Sequence, residues 1–274
     1  MVPVSSIIAC CITLFISLIL PVLVLLVYGF KHRKQGIFSA WLLGAAGFVV
    51  TQLLIRVPIL NVLSVQPWFL AFSQNHLFLY AFSLAFTAGL FELAGRFAVA
   101  KLMQKRLTYR RSLSAGLGHG GIEAMVLVGI TYINNLAYIV TINSGGFDAL
   151  IAQSAAMGVD PAQLELIRTQ LLATSPVLFL LGGFERLLAM TGHVAMSMLV
   201  CYGVAHKKVL PCTLLCLGIH TLMDLTAGVS LVLPQSLAYP IIYAILIVMT
   251  VLSLLIIRRL GRCWKKEVSY DPEK

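Results

Sequence analysis

Seven apolar runs, each long enough to cross a bilayer, constrain this chain before any motif does. They lie near 5–30, 37–57, 70–100, 113–140, 174–205, 209–232 and 237–258. A bilayer core needs about 20 apolar residues in helical form. Hydrocarbon offers the backbone no outside partner, so such runs must satisfy their own hydrogen bonds as helices. Charged residues make up only 11% of the 274 and hydrophobic residues 59%, where a soluble domain carries about 25% charged residues. The fold class is therefore all-α: a polytopic bundle of about seven transmembrane helices, read as one integral membrane domain over 1–274.

Basic residues set the expected orientation. Lys31, Arg33 and Lys34 follow the first run, and Lys101, Lys105, Arg106, Arg110 and Arg111 join the third to the fourth. Lys207 and Lys208 join the fifth to the sixth, and Arg258, Arg259, Arg262, Lys265, Lys266 and Lys274 follow the seventh. Sixteen of the 20 Lys and Arg thus fall on one side, which the positive-inside rule makes cytoplasmic. The N-terminus is expected outside and the C-terminus inside. The +10 net charge reflects this bias and contact with anionic lipid, and gives no argument for nucleic acid. The first run lacks a basic leader and an A-x-A-like cleavage site, so it reads as an uncleaved span. Pro21 is expected to kink it, because proline removes a backbone donor.

One long external connection stands out at 141–173. Gly145 and Gly146 interrupt the chain there, and VDPAQLELIRTQLL reads as a short helix. Asp160 is the expected N-cap, with Pro161 in the first helical position. Leu164, Ile167, Leu171 and Leu172 recur at helical spacing, which suits an interfacial helix or a lid. The six cysteines form no metal-type pair and read as small apolar fillers. Cys263, among basic residues past the last run, is a candidate for palmitoylation.

Ionisable residues inside these runs point to function. Glu92, His119, Glu123, Glu185, Arg186, His193, His220 and Asp224 all lie within them. A charge in hydrocarbon costs about 2.5–3.5 kcal/mol on insertion scales, so such residues usually line a pathway or a reactive site. Glu92 lies 9 residues before Lys101, His119 and Glu123 lie 8 and 12 after Arg111, and His193 lies 14 before Lys207. His220 and Asp224 lie 12 and 16 after Lys208. At about 1.5 Å per residue, four helices therefore carry acids or imidazoles roughly 12–24 Å from the cytoplasmic edge. Glu185 and Arg186 fall further out and read as a supporting ion pair.

Spacing within each helix agrees with a shared centre. Glu92 and Arg96, His119 and Glu123, and His220 and Asp224 are each four apart and share a face. Gly116, Gly118, Gly120 and Gly121 surround His119, and small residues let helices approach closely. One intramembrane histidine is ordinarily an interhelical hydrogen-bonding group. Three histidines and three acids at one depth supply a base, donors for an oxyanion and groups that orient them.

Two mechanisms fit. In one, Glu92 or Glu123 takes a proton from water, while His193 and His220 donate to an oxyanion and Asp224 orients His220. Arg96 and Arg186 hold the carboxylates. In the other, His119, His193 and His220 bind zinc, since three protein ligands and a water make the usual catalytic zinc site. The same centre also suits a proton- or ion-coupled transporter, or a non-catalytic membrane protein that retains the fold.

FELAGR (91–96), GLGHGGIEA (116–124), FERLLAMTGH (184–193) and HTLMD (220–224) resemble the YhfC family of intramembrane peptidases. That family is similar to the CAAX-prenyl endopeptidase and bacteriocin-processing (CPBP) glutamic intramembrane proteases. Glu92 and Arg96 match the ends of the latter group's Glu-Glu…Arg motif, with Leu93 where the second Glu stands. This raises the case for Glu123 as base. His220 and Asp224 match its H-x-x-x-Asn/Asp motif. The resemblance implies hydrolysis of membrane-embedded or lipid-modified peptide substrates in a bacterial cytoplasmic membrane, with no cofactor or with zinc. Membrane lipid is the other expected partner.

Overall fold

The computed structural model describes residues 1–268, with side chains through Trp264. Lys274, assigned above to the basic tail, lies outside the described residues, as do the side chains of Lys265 and Lys266. The described residues form helices and turns without a strand. Seven helices are long and apolar enough to cross a membrane: α1 (Val4–Lys31), α2 (Ile37–Ser64), α4 (Leu77–Leu102), α5 (Tyr109–Asn143), α8 (Pro176–Ala205), α9 (Val209–Val232) and α10 (Gln235–Val268). Among the described residues there are also three short α-helices: α3 (Pro67–Asn75), α6 (Phe147–Ala156) and α7 (Pro161–Ala173). This is an all-α polytopic membrane protein.

Local chemistry explains the boundaries that sequence periodicity misplaces. The third run was expected to begin at 70, but α4 begins at Leu77. Gln66 is extended before Pro67, as a residue preceding proline tends to be, and His76 leaves helical geometry at φ −132°. The intervening residues form α3. The long connection holds two helices rather than one. Gly145, at φ +78°, ends α5, and Gly158, at φ +85°, separates α6 from α7. Asp160 caps α7 as expected, its Oδ1 accepting from Ala162 N at 2.9 Å.

Wide, π-helical turns interrupt three spanning helices, at Phe15–Ile19, Val49–Arg56 and Ala124–Gly129. Two have a visible cause. Pro21 and Pro58 lack the N–H groups that the Ser17 and Leu54 carbonyls would accept, so the ladder rearranges nearby.

The chain divides into two compact units. The first comprises Met1–Val22 and Ala124–Leu187. Its core gathers Val2, Ala9, Cys10, Ile139, Leu171 and Phe179. Thr13 Oγ1 and Tyr132 OH both donate to Phe179 O, at 2.7 and 2.9 Å. The second comprises Leu23–Glu123 and the residues from Leu188 onward. Its core includes Ala40, Val99, Ala115, Met196, Met198, Val200 and Cys216. Large apolar side chains such as Val27, Leu42, Leu54, Leu90, Leu214 and Leu252 are exposed, as suits contact with lipid.

In the second unit, glycines bring α2 and α5 together. A Cβ on Gly44 would stand 1.9 Å from Ala115 O, and one on Gly118 would stand 2.0 Å from Trp41 O. Backbone lies against backbone at both points, which places the segment before His119 directly on α2. On another face of α5, a Cβ on Gly120 would stand 2.9 Å from His193 Cβ. The glycine stretch therefore permits the close approach that its composition suggested.

Candidate metal centre

Four helices of the second unit deliver the polar side chains: α4 gives Glu92 and Arg96, α5 His119 and Glu123, α8 His193, and α9 His220. All six are buried, none more than 8% exposed. Burial on this scale demands partners, because an unpaired charge in a low-dielectric interior is costly.

Glu92 is the hub. Its Oε2 accepts from Arg96 Nη2 at 2.9 Å, His119 Nε2 at 2.9 Å and His220 Nε2 at 2.7 Å. Its Oε1 accepts from Gln52 Nε2 at 2.7 Å. A carboxylate offers about four lone-pair sites; three donors crowd Oε2 and one reaches Oε1. His193 Nδ1 lies 3.7 Å from the same Oε2. Nitrogens of all three histidines thus approach a common point.

His193 links the two carboxylates. Its Nδ1 is 2.6 Å from Arg96 Nη2, and its Nε2 is 2.8 Å from Glu123 Oε2. A guanidinium only donates, so Nδ1 accepts and the proton of neutral His193 sits on Nε2, facing Glu123. The His193 ring stacks on His119 at 5.4 Å between centroids and meets His220 edge-on at 5.6 Å. Phe48 closes the other side of His119, edge-on at 5.5 Å.

Asp224 stands at the rim. Its Oδ2 is 3.4 Å from His220 Nδ1, with its side chain 41% exposed. That Nδ1 lacks a well-directed hydrogen bond among the described residues. Glu185 and Arg186 pair with each other and belong to the first unit.

Sequence reasoning missed Gln52 and Arg56. Gln52 is 6% exposed and pins Glu92, while Arg56 Nη1 donates to Gln52 Oε1 at 3.3 Å. Arg56 Nη2 also donates to Leu84 O at 2.7 Å. The available signal was a polar pair four apart within TQLLIR (51–56). Ending that run at 57 made Arg56 look like an ordinary terminal residue, whereas α2 continues to Ser64.

The donor set fits a metal ion. One ligand atom each from Glu92, His119, Glu123 and His193 lies within 4.8 Å of the others. Imidazole nitrogen and carboxylate oxygen are both ordinary zinc ligands. Three helices supply this group, so neighbouring helices hold the donors in place. The buried Glu/His group could bind a metal such as zinc.

Comparison with known proteins agrees with this chemistry. The family described as YhfC intramembrane metalloprotease matches residues 16–249. A membrane protein of Bacillus subtilis (strain 168) named YhfC is 33% identical over 185 residues, covering 67% of this chain and 70% of that protein. No solved structure matches the chain. With most of its length matched, and with a buried carboxylate–imidazole centre among its membrane helices, this chain belongs to the YhfC intramembrane metalloprotease family.

Proposed function

We propose that this protein is a metal-dependent endopeptidase that hydrolyses peptide bonds of membrane-associated substrates. The carrying observation is the buried group of Glu92, His119, Glu123 and His193, whose ligand atoms lie within 4.8 Å of one another. Glu92, His119 and His193 would hold the ion, exchanging N–H contacts for metal contacts, which leaves Glu123 beside it and a fourth position for water. Zinc bound there supplies a polarised carbonyl and an activated water.

The chain's own residues divide the remaining work. Glu92 is held by Gln52, Arg96, His119 and His220, which suits a fixed carboxylate that organises the centre. Glu123 faces the Nε2 of His193 at 2.8 Å. A carboxylate beside an imidazole can pass a proton between water, base and leaving amine. Glu123 is therefore the general base and His193 its partner. His220 holds Glu92 and, with its other nitrogen toward Asp224, is positioned from the rim.

Orientation follows from the basic segments. The Lys and Arg residues around the α1–α2, α4–α5 and α8–α9 connections and in the C-terminal part of α10 favour the cytoplasmic face. Glu92 and His119 lie 9 and 8 residues from Lys101 and Arg111 respectively. These counts support reading the centre as lying in the cytoplasmic half of a bacterial membrane, open to lipid-modified or membrane-embedded peptides.

The test is cleavage of a membrane-tethered peptide by purified protein in vesicles, comparing wild type with Glu123→Gln and His220→Ala. Loss of about 100-fold or more in Glu123→Gln is expected for a general base. Equal cleavage by all three proteins would remove these residues from the mechanism. Gradient-dependent flux without peptide products would favour a transporter.

A further inference from the structure

Arg96 uses only part of its donor set on the carboxylate–imidazole centre. Its Nη2 serves both Glu92 and His193, yet its Nε and Nη1 have no hydrogen-bond partner among the described residues. The residue is only 3% exposed. Ser197, 4% exposed, likewise has a hydroxyl without a partner. Unmade bonds at buried polar groups are costly, more so at a charged group, so such atoms on two neighbouring residues call for a ligand.

These groups border the same cavity. Arg96, Ser197, His119, Cys201, Gly44 and Ala115 line about 10 Å³ of space, measured as room for the centre of a water-sized sphere. On that measure about 10–15 Å³ admits one water, which then needs two to four polar partners. Arg96, with two unpartnered nitrogens, and Ser197, with an unpartnered hydroxyl, are the lining residues able to provide them.

We propose that this cavity is a binding site for one internal water, held by Arg96 and Ser197, and that this water fixes the Arg96 fork on Glu92 and His193. Ser197 is thereby a positioning residue, acting on the centre through the water and Arg96. The water accepts from the guanidinium and exchanges a hydrogen bond with the hydroxyl. The inference rests on Arg96 belonging to the centre, but requires neither zinc nor peptide hydrolysis. Its failure is therefore separable from failure of the proposed activity.

The test is a high-resolution experimental map of the wild-type protein, together with ring-nitrogen resonances of His193 in wild type, Ser197→Ala and Ser197→Thr. Ser197→Ala removes one partner, whereas Ser197→Thr keeps the hydroxyl and fills the cavity with a methyl group. The expected map shows one water within about 2.7–3.2 Å of Ser197 Oγ and an Arg96 nitrogen. The His193 Nδ1 resonance, that of a hydrogen-bond-accepting nitrogen, is expected to shift in both variants. A dry cavity overturns the site, and an unmoved resonance in folded variants overturns the positioning role. Should neither variant fold, the wild-type map alone decides the site.

Discussion

Arg96 Nη2 stands 2.6 Å from His193 Nδ1, closer than it stands to the Glu92 carboxylate it pairs with at 2.9 Å. A permanent cation therefore occupies a lone pair that a metal would also seek. The same contact fixes the proton of neutral His193 on the nitrogen facing Glu123. Arg96 is thus both an organiser of the metal-free centre and a competitor of the ion.

This relation has two opposite consequences for Arg96→Gln. Without metal, the variant leaves Glu92 without a buried charge partner, which typically costs about 3–5 kcal/mol. With metal, it removes a positive charge beside the donors. Two unit charges about 4 Å apart interact by about 4 kcal/mol at an effective dielectric near 20. Zinc affinity is expected to rise by at least about tenfold, and thermal melting should show a larger zinc-induced stabilisation than in wild type. A variant that binds zinc no more tightly than wild type would contradict the competition.

Gln52→Leu removes the amide that donates to Glu92 Oε1 and puts an apolar side chain of similar size in its place. Hydrogen bonds to charged groups contribute about 1.5–3 kcal/mol, and the change should appear as that loss in chemical denaturation. Gln52→Glu should be worse, since it sets a second carboxylate against the first. Stability equal to wild type in both variants would show that α2 does not hold Glu92.

Gly118→Ala and Gly218→Ala should behave oppositely. The added methyl group meets the Trp41 carbonyl at 2.0 Å in the first case, and nothing within 4 Å in the second. Overpacking costs about 1–3 kcal/mol and backbone cannot yield like a side chain, so Gly118→Ala is expected at or above that range. Gly218→Ala should be neutral or stabilising by up to about 1 kcal/mol through helix propensity. The pair is read by thermal unfolding of detergent-solubilised protein.

Asp160→Ala tests the connection between α5 and α8 separately. Loss of its bond to Ala162 N should weaken the start of α7 by about 0.5–2 kcal/mol. Faster proteolysis within 158–164 is the expected sign, and an unchanged cleavage pattern would show the cap to be dispensable.

Much of the arrangement was legible because membranes restrict the options. Apolar length gave the seven spanning helices, and counting residues from the basic segments put Glu92, His119, Glu123, His193 and His220 at compatible depth. Spacing identified the Glu92–Arg96 pair, which is present at 2.9 Å. Facing between helices was harder. No one-dimensional pattern indicates that a π-helical turn at Val49–Arg56 presents Gln52 to α4. Nor does spacing show that Arg96 reaches His193 as well as Glu92. The short helices α3 and α6 were hidden because each is brief and apolar, and the break after it is one residue, His76 or Gly158.

The most direct measurement is equilibrium zinc binding to purified protein, for wild type and for His119→Ala combined with His193→Ala. The account predicts one tightly bound zinc per wild-type chain and a loss of affinity of at least about 100-fold when both imidazole ligands are gone. No zinc on the wild type, or equal zinc on both proteins, would contradict a metal centre at Glu92, His119, Glu123 and His193.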